Sequence, residues 1–443
     1  MQHEDTIAAI ATPPGTGGVG VIRISGDQAA TIGRALTGAD FQPGKVQLRH
    51  FLDEQAQEID HGLLLYFKAP RSFTGEDVVE IQGHGGAVVQ DMLLSRVCHL
   101  GARIARPGEF SERAFHHGKL DLAQTEAIAD LIESGSQAAA RAAVRSLNGE
   151  FSRQVQQITE QVIELRSFVE AALDFADEEI DFLGESDITA RLDQLIELTR
   201  NTLDQAARGR VLNEGLTLAI AGRPNAGKSS LLNHLAGYDA AIVSEVAGTT
   251  RDVIREHIAL KGIPVRVIDT AGLRESDDPV EQEGVRRAWR EIEQADLVLM
   301  LIDATQGVTD ADLAIEQRLV GFRVQRVFTK ADLTGNTTEI AGGLLISTRN
   351  GQGMDQLIDK LTGKYADFSA DQSTFLARKR HVEALQQALD SLLRATNIFQ
   401  QSASGELMAE DLRYAQQFLG EITGEFTTED LLGRIFSSFC IGK

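Results

Sequence analysis

Five short stretches of this chain hold residue types whose spacing can do chemistry on a nucleotide. The first, Gly222-Arg223-Pro224-Asn225-Ala226-Gly227-Lys228-Ser229, satisfies the phosphate-binding pattern G-x-x-x-x-G-K-[ST] at every defined position. Its glycines let successive backbone N–H groups point at phosphate oxygens. Lys228 reaches the β- and γ-phosphates, and the Ser229 hydroxyl holds Mg²⁺. Asn225, Ala226, Gly227, Lys228, Ser229 and Ser230 form the expected contact set for the phosphates. The alternative, a plain glycine-rich turn between strand and helix, explains none of the stretches that follow.

Gly248-Thr249-Thr250-Arg251-Asp252 stands where a switch loop brings the second Mg²⁺ hydroxyl, which is assigned to Thr250. Asp269-Thr270-Ala271-Gly272 is a D-x-x-G loop: Asp269 orients the metal's water shell, and the Gly272 N–H meets the γ-phosphate. Thr329-Lys330-Ala331-Asp332 reads the base, with Ser347-Thr348-Arg349 closing the same pocket. Asp332 accepts hydrogen bonds from N1–H and the exocyclic amine of guanine. Adenine presents an acceptor at N1 and is rejected, so the nucleotide is GTP.

Such loops work only at strand ends, and the flanking residues supply the strands. Leu216–Ala221, Val265–Ile268, Leu297–Ile302, Val327–Thr329 and Leu344–Ile346 are short apolar runs, and Ser230–Leu235 reads as a helix after the first. The rest of the 443 residues needs further cores. Residues 1–118 read as mixed α/β, with strands at Val19–Ser25, Leu63–Phe67 and Asp77–Ile81 and helices at Gln28–Leu36 and Val88–Leu100. Residues 119–212 and 367–443 carry long amphipathic repeats. One stripe runs through Leu147, Phe151, Val155, Ile158, Val162, Leu165 and Val169. The simplest architecture is a helical bundle domain (119–212 and 367–443) interrupted by an inserted GTPase domain at 213–366. The fold class is therefore α/β plus all-α.

Composition narrows the function classes. Net charge is −22, with 65 acidic against 43 basic residues, the excess concentrated in 119–214. That sign argues against holding nucleic acid by broad electrostatics, though not against a local basic site. The acidic run from Asp174 to Asp187 reads as a solvated loop or helix tip. Cys98 and Cys440 offer neither a disulfide framework nor metal spacing, no run of about 18 apolar residues suggests a membrane span, and the N-terminus lacks signal-peptide regions. A cytoplasmic protein is expected. Gly15-x-Gly17-x-x-Gly20 opens a strand rather than a helix, so it is not a dinucleotide site. His84-Gly85-Gly86 reads as a glycine turn before a helix rather than an oxyanion loop, because no G-x-S-x-G serine accompanies it.

Together with the nucleotide loops, Ala11-Thr12-Pro13-Pro14-Gly15, Gln82–Gly86, Gly118–Gln124, Ala247–Asp252 and the terminal Phe439-Cys440-Ile441-Gly442-Lys443 strongly resemble the tRNA modification GTPases of the MnmE (TrmE) family. The resemblance covers essentially the whole chain. It implies a homodimer joined through N-terminal domains (1–118) that bind a folate one-carbon donor, a 5-formyl- or methylene-tetrahydrofolate. It also implies a heterotetramer with the FAD-dependent MnmG (GidA) protein, which adds an aminomethyl-type group to the wobble uridine of certain tRNAs. By family match, Arg23, Glu80, Lys119 and Lys443 contact the folate.

The catalytic set also leans on the resemblance. Leu273 follows the D-x-x-G loop where small Ras-like GTPases carry a water-orienting glutamine, and no arginine finger in cis is evident. The family uses K⁺ instead, implying ligands at Asn225, Ser244, Val246 (carbonyl) and Thr249, with Glu281 orienting water beside Lys228 and Thr250. From the residues alone, Glu281 reads as a solvated helix-start carboxylate. Cys440 has no base beside it in sequence, so a small apolar residue is as good a reading as a nucleophile. Two positions depart from the family: Thr329 replaces an asparagine that contacts N7 and ties the base loop to the phosphate loop, and Thr348 replaces alanine. Competing functions are a GTP-switched ribosome-assembly factor of the Era or Der type, which appends an RNA-binding domain, and a folate-dependent aminomethyl transferase, which leaves the GTPase unexplained.

Overall fold

A computed structural model describes residues 5–134, 136–174, 185–237, 255–261, 263–269, 292–293, 295–334, 342–363, 375–402, 404–426, 428–437, 439 and 442. They fall into two compact units. One comprises Met1–Ile132, Ser146–Arg200 and Ala384–Lys443, and the other Glu133–Arg145 and Asn201–Glu383.

The first unit contains a six-stranded sheet of β1 (Ile7–Ile10), β2 (Gly17–Ser25), β3 (Val46–Leu52), β4 (Glu58–Phe67), β5 (Val78–Gly85) and β6 (Arg103–Ile104), in the order β3-β4-β5-β2-β1-β6. Period-two alternation decides its faces. Ile22, Ile24, Leu64, Val79 and Ile81 are buried on one face beneath α1 (Ala29–Thr37) and α2 (Ala87–His99), together with Ile32, Leu36, Leu93 and Val97. Arg23 and Glu80, at intervening positions, fall on the other face and are register partners. Sequence periodicity missed β1 and β3. The first is only four residues long, and the second carries Arg49 and His50 mid-strand. His84 and Gly85 also proved to be strand residues of β5, with only Gly86 left to cap α2.

A buried ionic network, invisible to motif reading, fixes α3 (Glu109–His116) against this sheet. Arg113 is fully buried and reaches Asp5 at 2.7 Å, Glu76 at 3.0 Å and Glu109 at 3.2 Å. Glu76 also accepts from the Ser25 hydroxyl at 2.6 Å. Burial alone would raise the Glu109 pKa, but hydrogen bonds from Arg103, the Arg106 N–H and Arg113 bring it down to about 2. Removing one member would strand buried charge, which makes the network a rigid support for the loop from Lys68 to Asp77.

Helices follow in the chain: α4 (Leu122–Glu133), α5 (Gln137–Leu147), α6 (Glu150–Asp174) and α7 (Glu185–Glu214). α4 but for its last residue and all of α6 belong to this unit, whereas most of α5 and the end of α7 fall in the other. The single stripe expected from Leu147 to Val169 is broken: Gly149, at φ 79°, separates α5 from α6, so Leu147 belongs to the preceding helix. Phe151, Val155, Ile158, Val162, Leu165 and Val169 are buried along α6. This helix packs on the helix Gly405–Thr423, with Arg166 Nη1 donating to Gln416 Oε1 at 2.7 Å. Helical segments on both sides of the inserted sequence thus share a core. Near the chain end, Leu432, Ile435, Phe436 and Phe439 cluster with Leu122 and Phe115.

The second unit is a parallel sheet of β7 (Leu216–Gly222), β9 (Ile263–Asp269), β10 (Leu297–Asp303), β11 (Val324–Thr329) and β12 (Leu344–Leu345), with β8 (Arg255–Leu260) antiparallel at one edge. The order β12-β11-β10-β7-β9-β8 sends the chain from β7 to one side through β9 and to the other through β10. In such a sheet the crevice outside the carboxyl end of β7 is the ligand site. Leu218, Ile220, Val267, Leu299 and Leu301 fill one core, and Ala219, Ala221, Val298, Met300 and Phe328 the other, so the central strands are apolar on both faces. The fold class is the α/β plus all-α, Ras-like arrangement expected. The sequence reading had not marked β8 or the helices Asp310–Arg318 and Met354–Thr362.

Candidate functional site

At the end of β7 the chain turns sharply. Gly222 sits at φ 147°, and a Cβ there would lie 2.5 Å from the Leu301 carbonyl on β10, so the loop starts closer to its neighbour than any side chain allows. Gly227, at φ 95°, caps α8 (Lys228–Ala236). Ser229 and Ser230 are exposed on that helix's first turn, where unpaired N–H groups and the helix dipole favour an anion. Lys228 Nζ lies over the loop, donating to the Gly222 carbonyl at 2.8 Å and the Arg223 carbonyl at 2.9 Å. An ammonium held by loop carbonyls above a ring of N–H groups fits a triphosphate. Arg223 Nη1 ties the loop's outer side to Thr309 Oγ1 at 2.9 Å.

The base-reading residues converge from β11 and β12. The Asp332 side chain is half-buried, and its Oδ1 accepts from Ser347 Oγ at 2.7 Å. Ser347 is fully buried, and its oxygen in turn accepts from the Arg349 N–H at 3.2 Å. Arg349 Nη1 lies 4.0 Å from Asp332 Oδ2, and His234 Nδ1 of α8 lies 3.2 Å from the Thr348 carbonyl. Lys330, at φ 63°, extends to Asp303 at 2.6 Å. Burial pushes the Asp303 carboxyl up, but hydrogen bonds from Lys330 and Thr305 outweigh it and hold it below the ordinary range.

Thr329 is buried, and its hydroxyl donates to the Ala226 carbonyl at 2.7 Å. The tie between base loop and phosphate loop is therefore kept by a hydroxyl at the position where the sequence departs from the family. Thr329→Val keeps the shape and removes the donor. A lost hydrogen bond of this kind costs about 1 kcal/mol, so the Kd for GTP and GDP should rise roughly fivefold together. Titration with a fluorescent guanine nucleotide checks this, and an unchanged Kd would show that the tie does not couple the loops.

Asp269 closes β9 in register with Ile220 of β7, beside the phosphate loop. Ser244, Val246, Thr249, Thr250, Thr270, Ala271, Gly272, Leu273, Glu281, Cys440 and Lys443 lie outside the described residues.

A second group of residues gathers in the first unit. Arg23 Nε donates to Glu80 Oε1 at 2.9 Å, and its guanidinium carbon lies 5.5 Å from the Phe73 ring and 5.7 Å from that of Phe110. Lys119 Nζ donates to the Pro70 carbonyl at 2.9 Å, in the loop that carries Phe73. Gly442 packs so closely on Ile10 that a Cβ would lie 2.6 Å from its carbonyl, and the neighbouring Ala9 is the register partner of Arg23. The chain end thus returns to the strand beside this group. A planar cation over two aromatic rings, paired to a carboxylate, fits a flat heterocycle with ring N–H groups.

Residues 6–119 match the family described as GTP-binding protein TrmE N-terminus, and residues 122–440 match the MnmE helical domain. The tRNA modification GTPase MnmE of Sodalis glossinidius is 52% identical over 454 residues, covering 100% of this chain and 100% of that protein. This chain belongs to the MnmE family. The tRNA modification GTPase MnmE of Pseudomonas fluorescens is 52% identical over 451 residues, with 99% of each chain covered. Among solved structures, Aquifex aeolicus Era bound to GDP and AlF4⁻ is 25% identical, covering 40% of this chain and 66% of that one, at a TM-score of 0.28.

One further cluster in this MnmE chain escaped the sequence reading. His50, His61 and His84 form a row across β3, β4 and β5, with ring centroids 5.9 and 5.8 Å apart. Glu58 lies 3.0 Å from both His50 Nδ1 and His61 Nδ1, and Asp60 lies 2.7 Å from His84 Nδ1. Burial acts to raise the Asp60 pKa, yet bonds from the His84 N–H, the His84 ring and the His61 N–H leave it lowered. Among the described residues no group of three such side chains is arranged to hold a metal ion. Sequence distance hid this row, since register alone brings the three together.

Proposed function

We propose that this chain hydrolyses GTP and couples the cycle to modification of the wobble uridine of tRNA at C5, drawing on a folate one-carbon donor and an FAD-dependent partner protein. The observation that carries the reading is the joining of phosphate loop to base loop through Thr329 and Ala226, with Asp332 oriented by Ser347. It sits in a chain matched along its whole length by MnmE relatives. Lys228 and the N–H groups at the start of α8 hold the phosphates, and Ser229 with Thr250 would hold Mg²⁺. Asn225, Ser244, the Val246 carbonyl and Thr249 would hold K⁺, with Glu281 orienting the attacking water. Arg23, Glu80, Lys119 and Lys443 would take the folate in a homodimer of N-terminal domains. No described helix is long and apolar enough to cross a membrane.

The deciding experiment compares wobble nucleosides of total tRNA from cells with and without the gene for this chain. A loss of 5-aminomethyl- or 5-carboxymethylaminomethyl-uridine, restored by the wild-type gene but not by a Lys228→Ala copy, is the expected result. Identical nucleoside profiles would overturn the reading.

A further inference from the structure

Beside Lys119 the first unit carries a cavity of about 360 Å³ that no step above uses, and its walls include Lys68, Pro70 and Arg71. In a chain of net charge −22, no carboxylate lines it. Among the described residues neither Lys68 nor Arg71 has an ion-pair partner. The carboxylate behind the loop, Asp77, is occupied by the Tyr66 hydroxyl at 2.7 Å and the Ala69 N–H at 2.9 Å. The Arg71 N–H donates to the Lys68 carbonyl at 2.9 Å, a turn that holds two cations three residues apart, both of them in the cavity wall.

We propose that this cavity takes the γ-linked polyglutamate tail of the folate, so that the preferred ligand is a polyglutamylated tetrahydrofolate. The inference rests on the folate reading of Arg23, Glu80 and Lys119 and deepens it. Pro70 carries it, since it walls the cavity while its carbonyl holds Lys119. Phe73, against the Arg23 guanidinium, and Pro70, holding Lys119, are three residues apart, a span of at most about 10 Å. A ligand with its ring system at Arg23 and Glu80 and its first glutamate at Lys119 has its next carboxylates beside Pro70. Each added γ-glutamate exposes one α-carboxylate, and Lys68 and Arg71 are two unpaired cations waiting at the following positions. The Arg113–Glu76 network keeps the loop that bears them in place. Because both cations are exposed, their pull is modest and salt-sensitive.

Calorimetry on the full chain with mono- and pentaglutamyl 5-formyltetrahydrofolate tests this. At low salt the wild type should bind the pentaglutamate roughly tenfold more tightly, the advantage shrinking as salt rises. Lys68→Ala/Arg71→Ala should keep the monoglutamate affinity and lose the advantage, whereas Arg23→Ala should weaken both forms. Equal affinity for the two forms in the wild type overturns the tail site while leaving the folate reading intact, and so does an advantage that survives in the double variant. Binding of neither form overturns both. A double variant that loses affinity for tRNA while keeping its pentaglutamate preference would assign these cations to nucleic acid and overturn the proposal.

Discussion

Asp332→Asn is expected to turn the chain from a guanine-nucleotide enzyme into one that prefers xanthine nucleotides. The hydrogen bond from Ser347 Oγ to Asp332 Oδ1 makes the direction of the change calculable. In the variant the amide oxygen stays on the Ser347 hydroxyl, and the NH₂ group takes the position of Oδ2. The amide oxygen still accepts from N1–H, but a donor now faces the exocyclic amine of guanine, which is left unpaired. Xanthine carries a carbonyl where guanine has its amine, and that carbonyl accepts from the new amide. Sites built on such pairing reject the unpaired analogue by factors of about 10⁴–10⁵ when buried. The Asp332 side chain is 18% exposed and so only partly shielded from water, and a loss of at least about 100-fold for GTP, close to 3 kcal/mol, is the expected size. Competition between GTP and XTP for the same fluorescent nucleotide measures it. GTP selectivity that survives the substitution would mean that another residue reads the base.

Why this loop was legible in the sequence is plain from its construction. A phosphate loop and a base loop each need a handful of residues at fixed local spacing after a strand, and β7 and the Val327-Phe328 end of β11 are apolar enough to announce themselves. What stayed hidden depends on register and tertiary approach. Thr329 looked like a lost asparagine, and only the packing of β11 against the phosphate loop gives its hydroxyl the Ala226 carbonyl. The partners of Arg113 lie 4 to 108 residues away in sequence, a spacing no motif encodes. Arg23 and Glu80 entered through resemblance alone, and their pairing follows from the β2–β5 register. The break at Gly149 was masked because Leu147 continues the 3–4 spacing of Phe151 and Val155 across it. Apolar periodicity alone does not distinguish one helix from two that happen to stay in phase.

GTP turnover is expected to be at least about tenfold faster in KCl than in NaCl at matched ionic strength, and Asn225→Ala is expected to remove the difference. The argument begins with the residues that hydrolysis lacks: Leu273 has no group to orient water, and no arginine in the sequence stands where one acts in cis. A bound monovalent cation would supply the missing positive charge, a role in which arginine fingers contribute about 10³–10⁵ in rate. Asn225 suits such a site because its loop is braced on both sides, through Arg223 to Thr309 and through Ala226 to Thr329. It is exposed, and its backbone sits at φ 63°, a left-handed conformation that asparagine tolerates better than alanine does. Asn225→Gly therefore serves as the second variant, since it frees the backbone while still removing the amide. A cage of amide, hydroxyl and carbonyl oxygens has a preferred radius, which is why the two cations should differ. If both variants lose the potassium advantage, the amide itself is the ligand. If only the alanine variant loses it, loop strain is the cause and Asn225 is no cation ligand. Equal wild-type rates in the two salts would require the stabilising charge to come from the protein, and an arginine or lysine of the switch segment would then be the residue to substitute next.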